Sequence, residues 1–123
     1  MRFEITAPFV SAGYCHCTHC QKRTGTAASA NGRVPQDGFR LVRGVEVLRS
    51  FHPPQGIPKV FCERCGSHLF AGEPLSDDEV SIRLGTLEGD PGIRPSTRQW
   101  MRSAVVWEHL PQDDLSRFEG PQP

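Results

Sequence analysis

The stretch that decides the fold is Cys-His-Cys-Thr-His-Cys at residues 15–20, together with Cys-Glu-Arg-Cys at residues 62–65. These first and second cysteine segments contain all five cysteines of the 123-residue chain. Zn²⁺ prefers thiolate or imidazole ligands in a tetrahedron, and two cysteines separated by two residues can direct both sulfur atoms at one ion. The chain is rich in Gly and Pro, so a bound metal is the expected reinforcement for its modest core.

The surplus cysteine of the first segment leaves two interpretations open. Cys15, Cys17 and Cys20 can converge on one zinc at roughly 2.3 Å each and leave the fourth position free. A substrate thiol bound there would be deprotonated at neutral pH and presented as a nucleophile. Alternatively, two of these cysteines join Cys62 and Cys65 in a structural zinc ribbon, and the spacing alone favours this second interpretation.

Polar residues around the first segment supply further candidates. His16 and His19 could be ligands, but with enough thiolates present we expect them to be exposed or to support the ligands. Lys22 and Arg23 directly follow the segment and are the candidates for holding a carboxylate of the substrate. The alternative for both is a solvated helix face.

Charge and composition restrict the partners. Lys+Arg and Asp+Glu balance at 14 each, which gives no reason to expect nucleic acid or an anionic membrane as a partner. The chain opens on a strand-like pattern rather than an apolar run, and no stretch approaches the roughly 18 apolar residues of a membrane span. The odd cysteine count and the C-x-x-C spacing, without a secretion signal, then favour metal over disulfides and a reduced compartment, the cytoplasm.

The local patterns predict a mostly β fold in one domain over residues 1–118, with a frayed tail at 119–123. A short helix is expected over 18–24, ended by Gly25, and a hairpin turn at Arg43-Gly44. Trp100 and Trp107 are expected in the core, although one of them could wall the metal cleft. Strands are expected at residues 2–6, 26–30, 39–42, 45–51, 59–61, 68–70 and 79–84, and over part of 103–107.

Four blocks of the chain, in order, resemble one known family. Residues 14–25 are similar to its C-H-C-x-x-C-R-R-x-T-G block, and residues 61–69 to its F-C-x-x-C-G-S-x-L block. Residues 82–88 resemble its I-x-x-G-T-L-D segment, and residues 103–111 its closing tryptophan region. The sequence is thereby identified as a member of the glutathione-dependent formaldehyde-activating enzyme family, which includes centromere protein V.

The resemblance implies a fold, a cofactor and an activity. It implies a zinc-binding β-tent of small packed antiparallel sheets, with catalytic zinc on Cys15, Cys17 and Cys20 and structural zinc on Cys62 and Cys65. It also implies attachment of formaldehyde or a related aldehyde to a glutathione-like thiol, a carbon–sulfur lyase activity. The main alternative is a non-catalytic zinc-binding module that docks a protein or nucleic acid. Whether the chain forms a homodimer stays open.

The N-terminus departs from the family pattern. The family normally places a C-x-C-G-x-V segment before the first strand and takes two further structural zinc ligands from it. Here Met1 stands where that valine is usual, and no cysteine precedes it. We therefore expect the natural protein to begin further upstream, and the structural site of Cys62 and Cys65 to lack two of its four ligands.

Overall fold

Ten short strands and a single α-helix make up the fold in a computed structural model that describes all residues from 1 to 123. The mostly β class with one helix is as the sequence predicts. The helix is α1, Thr18–Thr24. The strands are β1 Arg2–Ile5, β2 Ser11–Cys15, β3 Ser29–Pro35, β4 Phe39–Arg43, β5 Leu48–Phe51, β6 Lys59–Cys62, β7 His68–Ala71, β8 Glu79–Arg83, β9 Thr97–Gln99 and β10 Ser116–Arg117.

The strands form two sheets. The larger has eight strands in the order β10-β9-β2-β3-β8-β7-β6-β5, and the smaller consists of β1 and β4. Most neighbours are antiparallel, including the strand pair β6 and β7 on either side of the second cysteine segment. Strand β9 is the exception, since it runs parallel to both β2 and β10.

The core lies on one face of the large sheet. Alternation along β3 and β8 directs Val34, Val80 and Ile82 to this face, and all three are fully buried. Phe70 joins them and packs edge-on against Phe3 and Phe39 of the small sheet, with ring centroids 5.1 and 5.2 Å away. The same alternation necessarily leaves the intervening residues of β3 and β8 on the opposite face, which carries the polar side chains.

Helix α1 covers the predicted residues because it has a clear start and stop. The sulfur of Cys17 accepts a hydrogen bond from the Cys20 N–H at 3.3 Å and so caps the first turn. Gly25 ends the helix in the left-handed conformation, with φ of 67°, and its N–H donates to the Gln21 carbonyl.

Several local predictions were wrong. The predicted hairpin at Arg43-Gly44 does not form, because β4 pairs with β1 whereas β5 pairs with β6. The strand expected over 45–51 begins only at Leu48, after a 3₁₀ turn over Val45–Val47. The strand expected over 26–30 lies later, at β3, and residues 103–107 contain the end of a 3₁₀ turn and a loop instead of a strand.

The aromatic and tail predictions also need correction. Trp107 is 68% exposed on this loop, and Trp100 is only half-buried, so neither belongs to the core. The residues expected to fray are held in place, since the carbonyl of Gly120 accepts from the Trp100 N–H at 2.8 Å. Gln122 donates its N–H to Gln99 Oε1 at 2.9 Å and accepts from Thr97 Oγ1 at 3.0 Å. The tail therefore packs along β9.

Candidate functional site

The first cysteine segment gathers three sulfur atoms into one cluster. The Sγ atoms of Cys15, Cys17 and Cys20 all lie within 4.8 Å of one another. Sulfur ligands of a tetrahedral zinc are about 3.8 Å apart, given Zn–S bonds of about 2.3 Å. The predicted convergence is confirmed, and the three sulfurs suit a single thiophilic ion.

Local structure explains how residues so close in sequence can converge. Cys15 is the last residue of β2, Cys17 is the extended residue that caps α1, and Cys20 lies in the first turn of the helix. Residues 15 and 17 point to the same side of the extended chain, and the turn into α1 brings Cys20 back beside them. Cys15 and Cys20 are buried, whereas Cys17 is half-buried, so Cys17 is the most exposed of the three.

Hydrogen bonding differentiates the two buried thiols. A hydrogen bond between Cys15 and Cys20 lowers the pKa of Cys20, which is lowered further by hydrogen bonds from Ser29 and Cys17. The same hydrogen bond with Cys20, together with burial, raises the pKa of Cys15. Cys20 is therefore the first of this pair to become a thiolate, which is the form that binds metal.

A chain of polar side chains supports Cys20 from the sheet. Arg83 Nη1 donates to Asn31 Oδ1, and Asn31 Nδ2 donates to Ser29 Oγ at 3.0 Å. Because Ser29 Oγ accepts from Asn31, its own hydrogen is free to point at the Cys20 sulfur. Ser29 is paired with Cys15 across β2 and β3, and Asn31 with Arg83 across β3 and β8. The register of the sheet therefore brings these hydrogen-bonded side chains together.

A cleft of about 290 Å³ lies beside the cluster, over the polar face of the large sheet. It includes Cys15 and Cys20 in its lining, and its volume suits a small molecule. Three basic side chains line it, namely Arg33, Lys59 and Arg83. The other polar side chains in the lining include those of Ser11, Asn31, Ser81, Thr97, Gln99 and Gln122.

The basic residues expected at the cleft lie elsewhere. Lys22 is exposed on α1 and does not line the cleft. Arg23 also lies outside the lining, where its Nη2 contacts His68 Nδ1 at 2.8 Å and its guanidinium lies 5.8 Å from the Phe51 ring centroid. Neither Lys59 nor Arg83 was predicted from the sequence. Both residues occupy polar positions in strands where polar and apolar residues alternate, and this alternation could have placed them on the polar face of the sheet.

The histidines of the first segment have different surroundings. His19 is exposed, as expected. His16 is 1% exposed, with Nε2 3.3 Å from Arg98 Nη1, and burial lowers its pKa. Arg98 is itself paired with Asp113 at 2.9 Å and lies over the Tyr14 ring. His16 therefore belongs to a buried polar network behind the cluster.

The second cysteine segment stays apart from the first. Cys62 is buried and Cys65 is exposed, at the turn between β6 and β7. No other His, Cys, Asp or Glu completes a group of three ligands with them, since the only such group is Cys15, Cys17 and Cys20. The shared zinc ribbon that the spacing favoured is therefore wrong, and the two segments do not exchange ligands.

Comparison with known proteins supplies the family. A family model described as "Glutathione-dependent formaldehyde-activating enzyme" matches residues 1–103, which include both cysteine segments. The chain belongs to this family.

Individual relatives agree with the assignment over shorter stretches. Proteins of Aspergillus flavus and Aspergillus oryzae, each described as "Putative glutathione-dependent formaldehyde-activating enzyme", are 30% identical to it over 56 residues. That match spans 46% of this family member and 29% of each relative. A crystal structure of a Rhodobacter sphaeroides protein shares the fold, with a TM-score of 0.55 and 23% identity, covering 72% of this chain and 80% of the other.

The helices of this family member include none that is long and apolar enough to cross a membrane.

Proposed function

We propose that this protein is a zinc-dependent enzyme that joins formaldehyde or a related aldehyde to the thiol of a glutathione-like molecule. The observation that carries the proposal is the cluster of three sulfur atoms within 4.8 Å of one another at the side of a cleft. A structural site would need a fourth protein ligand, and none joins the group. Membership of a family named for this activity supports the same reaction.

Cys15, Cys17 and Cys20 would hold the metal. Zinc held by these three residues would lower the pKa of a substrate thiol so that it ionises near neutral pH. The chain's own groups favour the thiolate state of Cys20. Hydrogen bonds with Cys15, Ser29 and Cys17 lower the pKa of Cys20. These contacts prepare the cluster for a cation before substrate arrives.

The reaction itself is an addition. The thiolate sulfur of the substrate forms a bond to the carbonyl carbon of the aldehyde, and the π pair of the carbonyl moves to its oxygen. That oxygen then takes up one proton, which balances the proton lost by the thiol. The reverse reaction breaks the same carbon–sulfur bond, which is the sense in which the activity is a carbon–sulfur lyase. The protein contributes by holding the sulfur ionised and oriented in the cleft.

The reaction belongs in a compartment where thiols stay reduced. All five cysteines are free, including the exposed Cys65. A reduced glutathione-like substrate and an unoxidised cluster both require such conditions, which supports a cytoplasmic location.

Metal content and thiol-dependent formaldehyde consumption test the proposal together. The purified chain should contain about one zinc and should consume formaldehyde with glutathione faster than the uncatalysed addition. Cys17→Ser should lose both the metal and the rate enhancement. It should keep its fold, because serine is itself a good helix N-cap at this position. Zinc analysis measures the metal content, NMR exchange spectroscopy measures the rate of formaldehyde addition to glutathione, and circular dichroism measures the fold.

Cys65→Ser is the matched control, because Cys65 is an exposed cysteine outside the cluster. It should retain both metal and activity. Zinc without any thiol-dependent rate enhancement would favour the non-catalytic module that docks a partner. Unfolding of Cys17→Ser would instead assign the metal a structural role.

A further inference from the structure

Three half-buried cations of this chain lack a carboxylate partner. Of the 14 Lys and Arg residues, four are not exposed: Arg98 is buried, and Arg23, Lys59 and Arg83 are half-buried. Arg98 has Asp113 at 2.9 Å, but no carboxylate lies within salt-bridge distance of the other three. Removing an unpaired charge from water costs free energy, so a folded chain normally supplies a counter-charge.

The three unpartnered cations lie near Cys20, and two of them, Lys59 and Arg83, line the same cleft as Cys20. Cys20 interacts electrostatically with Arg23, Lys59 and Arg83, so its thiolate is one counter-charge that they share. With a divalent ion, three thiolates would carry a net charge of minus one. The two cleft cations Lys59 and Arg83 would then exceed it by one positive charge. The surplus is available to an anionic ligand.

Hydrogen bonding distinguishes the three cations. Arg83 donates to Asn31, and Arg23 is held at His68. The Lys59 ammonium has no hydrogen-bond partner among the side chains or carbonyls of the chain, and it lines the cleft. An ammonium has three donors, so Lys59 is the cation left free to bind a ligand.

Sheet register leaves open space next to Lys59. Residues Lys59, Ala71, Ser81 and Arg33 are successive partners across β6, β7, β8 and β3, and all four line the cleft. The small side chains of Ala71 and Ser81 therefore separate two basic ones. Arg33 is exposed and 3.7 Å from Glu79, a weak pair that leaves part of its guanidinium free. The row forms a shallow trough with a positive charge at each end.

We propose that Lys59 determines specificity by binding a carboxylate of the thiol substrate in this trough. The inference rests on the proposed function and adds the residue that binds the carboxylate, namely Lys59 of β6 rather than Lys22 beside the first cysteine segment. Lys59 acts on binding and does not touch the reacting atoms. The sulfur of the substrate is held at the cysteine cluster, at the other side of the same cleft.

Calorimetric titration with two probes tests the inference without measuring turnover. The probes are glutathione and its diethyl ester, which share the thiol but differ in carboxylate charge. The wild-type protein with its metal should bind glutathione roughly tenfold more tightly than the ester, as expected for a hydrogen bond to a charged group. Lys59→Met should lose most of this preference by weakening glutathione binding, with little change for the ester.

Lys22→Met is the matched control, because Lys22 is the only other lysine and is exposed outside the cleft. It should keep the full preference for glutathione. As a second measurement, raising the salt concentration should weaken glutathione binding to the wild-type protein while leaving ester binding unchanged. The measurement remains available if Lys59→Met does not fold.

The outcomes separate the two proposals. An unchanged preference in folded Lys59→Met, or equal affinity and equal salt dependence for the two probes, would overturn the role of Lys59 while leaving thiol binding intact. Failure of the metal-loaded wild-type protein to bind either probe would instead contradict the proposed function and the inference with it.

Discussion

At the scale of single residues, hydrogen bonds with Cys15 and with Ser29 lower the pKa of Cys20, and the sequence gives no signal for this serine. Ser29 is 3% exposed, and its hydroxyl accepts from Asn31 and lowers the pKa of Cys20. Ser29→Ala should therefore raise the pKa of Cys20. With chelator present and at a pH below the pKa of Cys20, the fraction of Cys20 in the thiolate form should fall roughly tenfold. This is the effect expected for the loss of one hydrogen bond to a charged group. The pH dependence of alkylation at Cys20, followed by peptide mass spectrometry, measures the change.

Ser50→Ala is the control, because Ser50 is exposed on the edge strand β5 and far from the cluster in the sheet order. It should leave the alkylation profile of Cys20 unaltered. If Ser29→Ala also leaves the alkylation profile of Cys20 unaltered, the hydrogen bonds from Cys15 and Cys17 are sufficient to lower the pKa of Cys20. The hydrogen bonds through Asn31 and Ser29 would then have no influence on the thiolate.

At the scale of elements, the close approach of β2 and β9 fixes one wall of the cleft. Gly13 is paired with Thr97, and a Cβ at position 13 would overlap Thr97 Oγ1. Gly13→Ala should therefore push the strands apart and weaken the contact between Thr97 and Gln122. The cost should be about 1–3 kcal/mol in the free energy of unfolding, as for other overpacking substitutions. Denaturant unfolding gives the value.

Gly85→Ala provides the comparison, because an added Cβ meets no atom within 4 Å and the backbone there does not require glycine. It should change stability by less than about 0.5 kcal/mol. Adding Thr97→Ala to Gly13→Ala removes the overlapping oxygen and should recover part of the loss. No recovery would mean that backbone displacement, rather than this overlap, causes the destabilisation.

Elements with a complete local signal were predictable, whereas pairing was not. Helix α1 has its cap at Cys17 and its stop at Gly25 within the chain segment itself, so the sequence was sufficient to locate it. Residues around Gly44 carry a hairpin signal, but β4 pairs with β1 of the small sheet because Phe39 packs against Phe3 and Phe70 there. Such a choice depends on residues distant in sequence, which no local pattern contains.

At the scale of the whole molecule, the sequence was informative about the cluster but not about its cleft. Spacing and resemblance led to Cys15, Cys17 and Cys20 because all three lie within six residues. The cleft joins β2, β3, β6, β7, β8 and β9, and its basic residues come together only through the order of strands in the sheet. For this reason Lys59 was missed, and Lys22 was chosen for its proximity in sequence.

The separation of core and cluster also determines how the molecule should respond to metal removal. Val34, Phe70, Val80 and Ile82 are buried on one face of the large sheet, whereas the cleft and its cysteines lie on the other. Losing a ligand that binds only the folded state costs about 2.7 kcal/mol at a hundredfold excess over its Kd. We expect a chelator to lower Tm by about 10 °C while the chain stays folded. Cys65→Ser should show the same decrease, and Cys17→Ser should show none. Complete unfolding on chelation would contradict an independent core, and an unchanged Tm in the wild-type protein would contradict a bound metal.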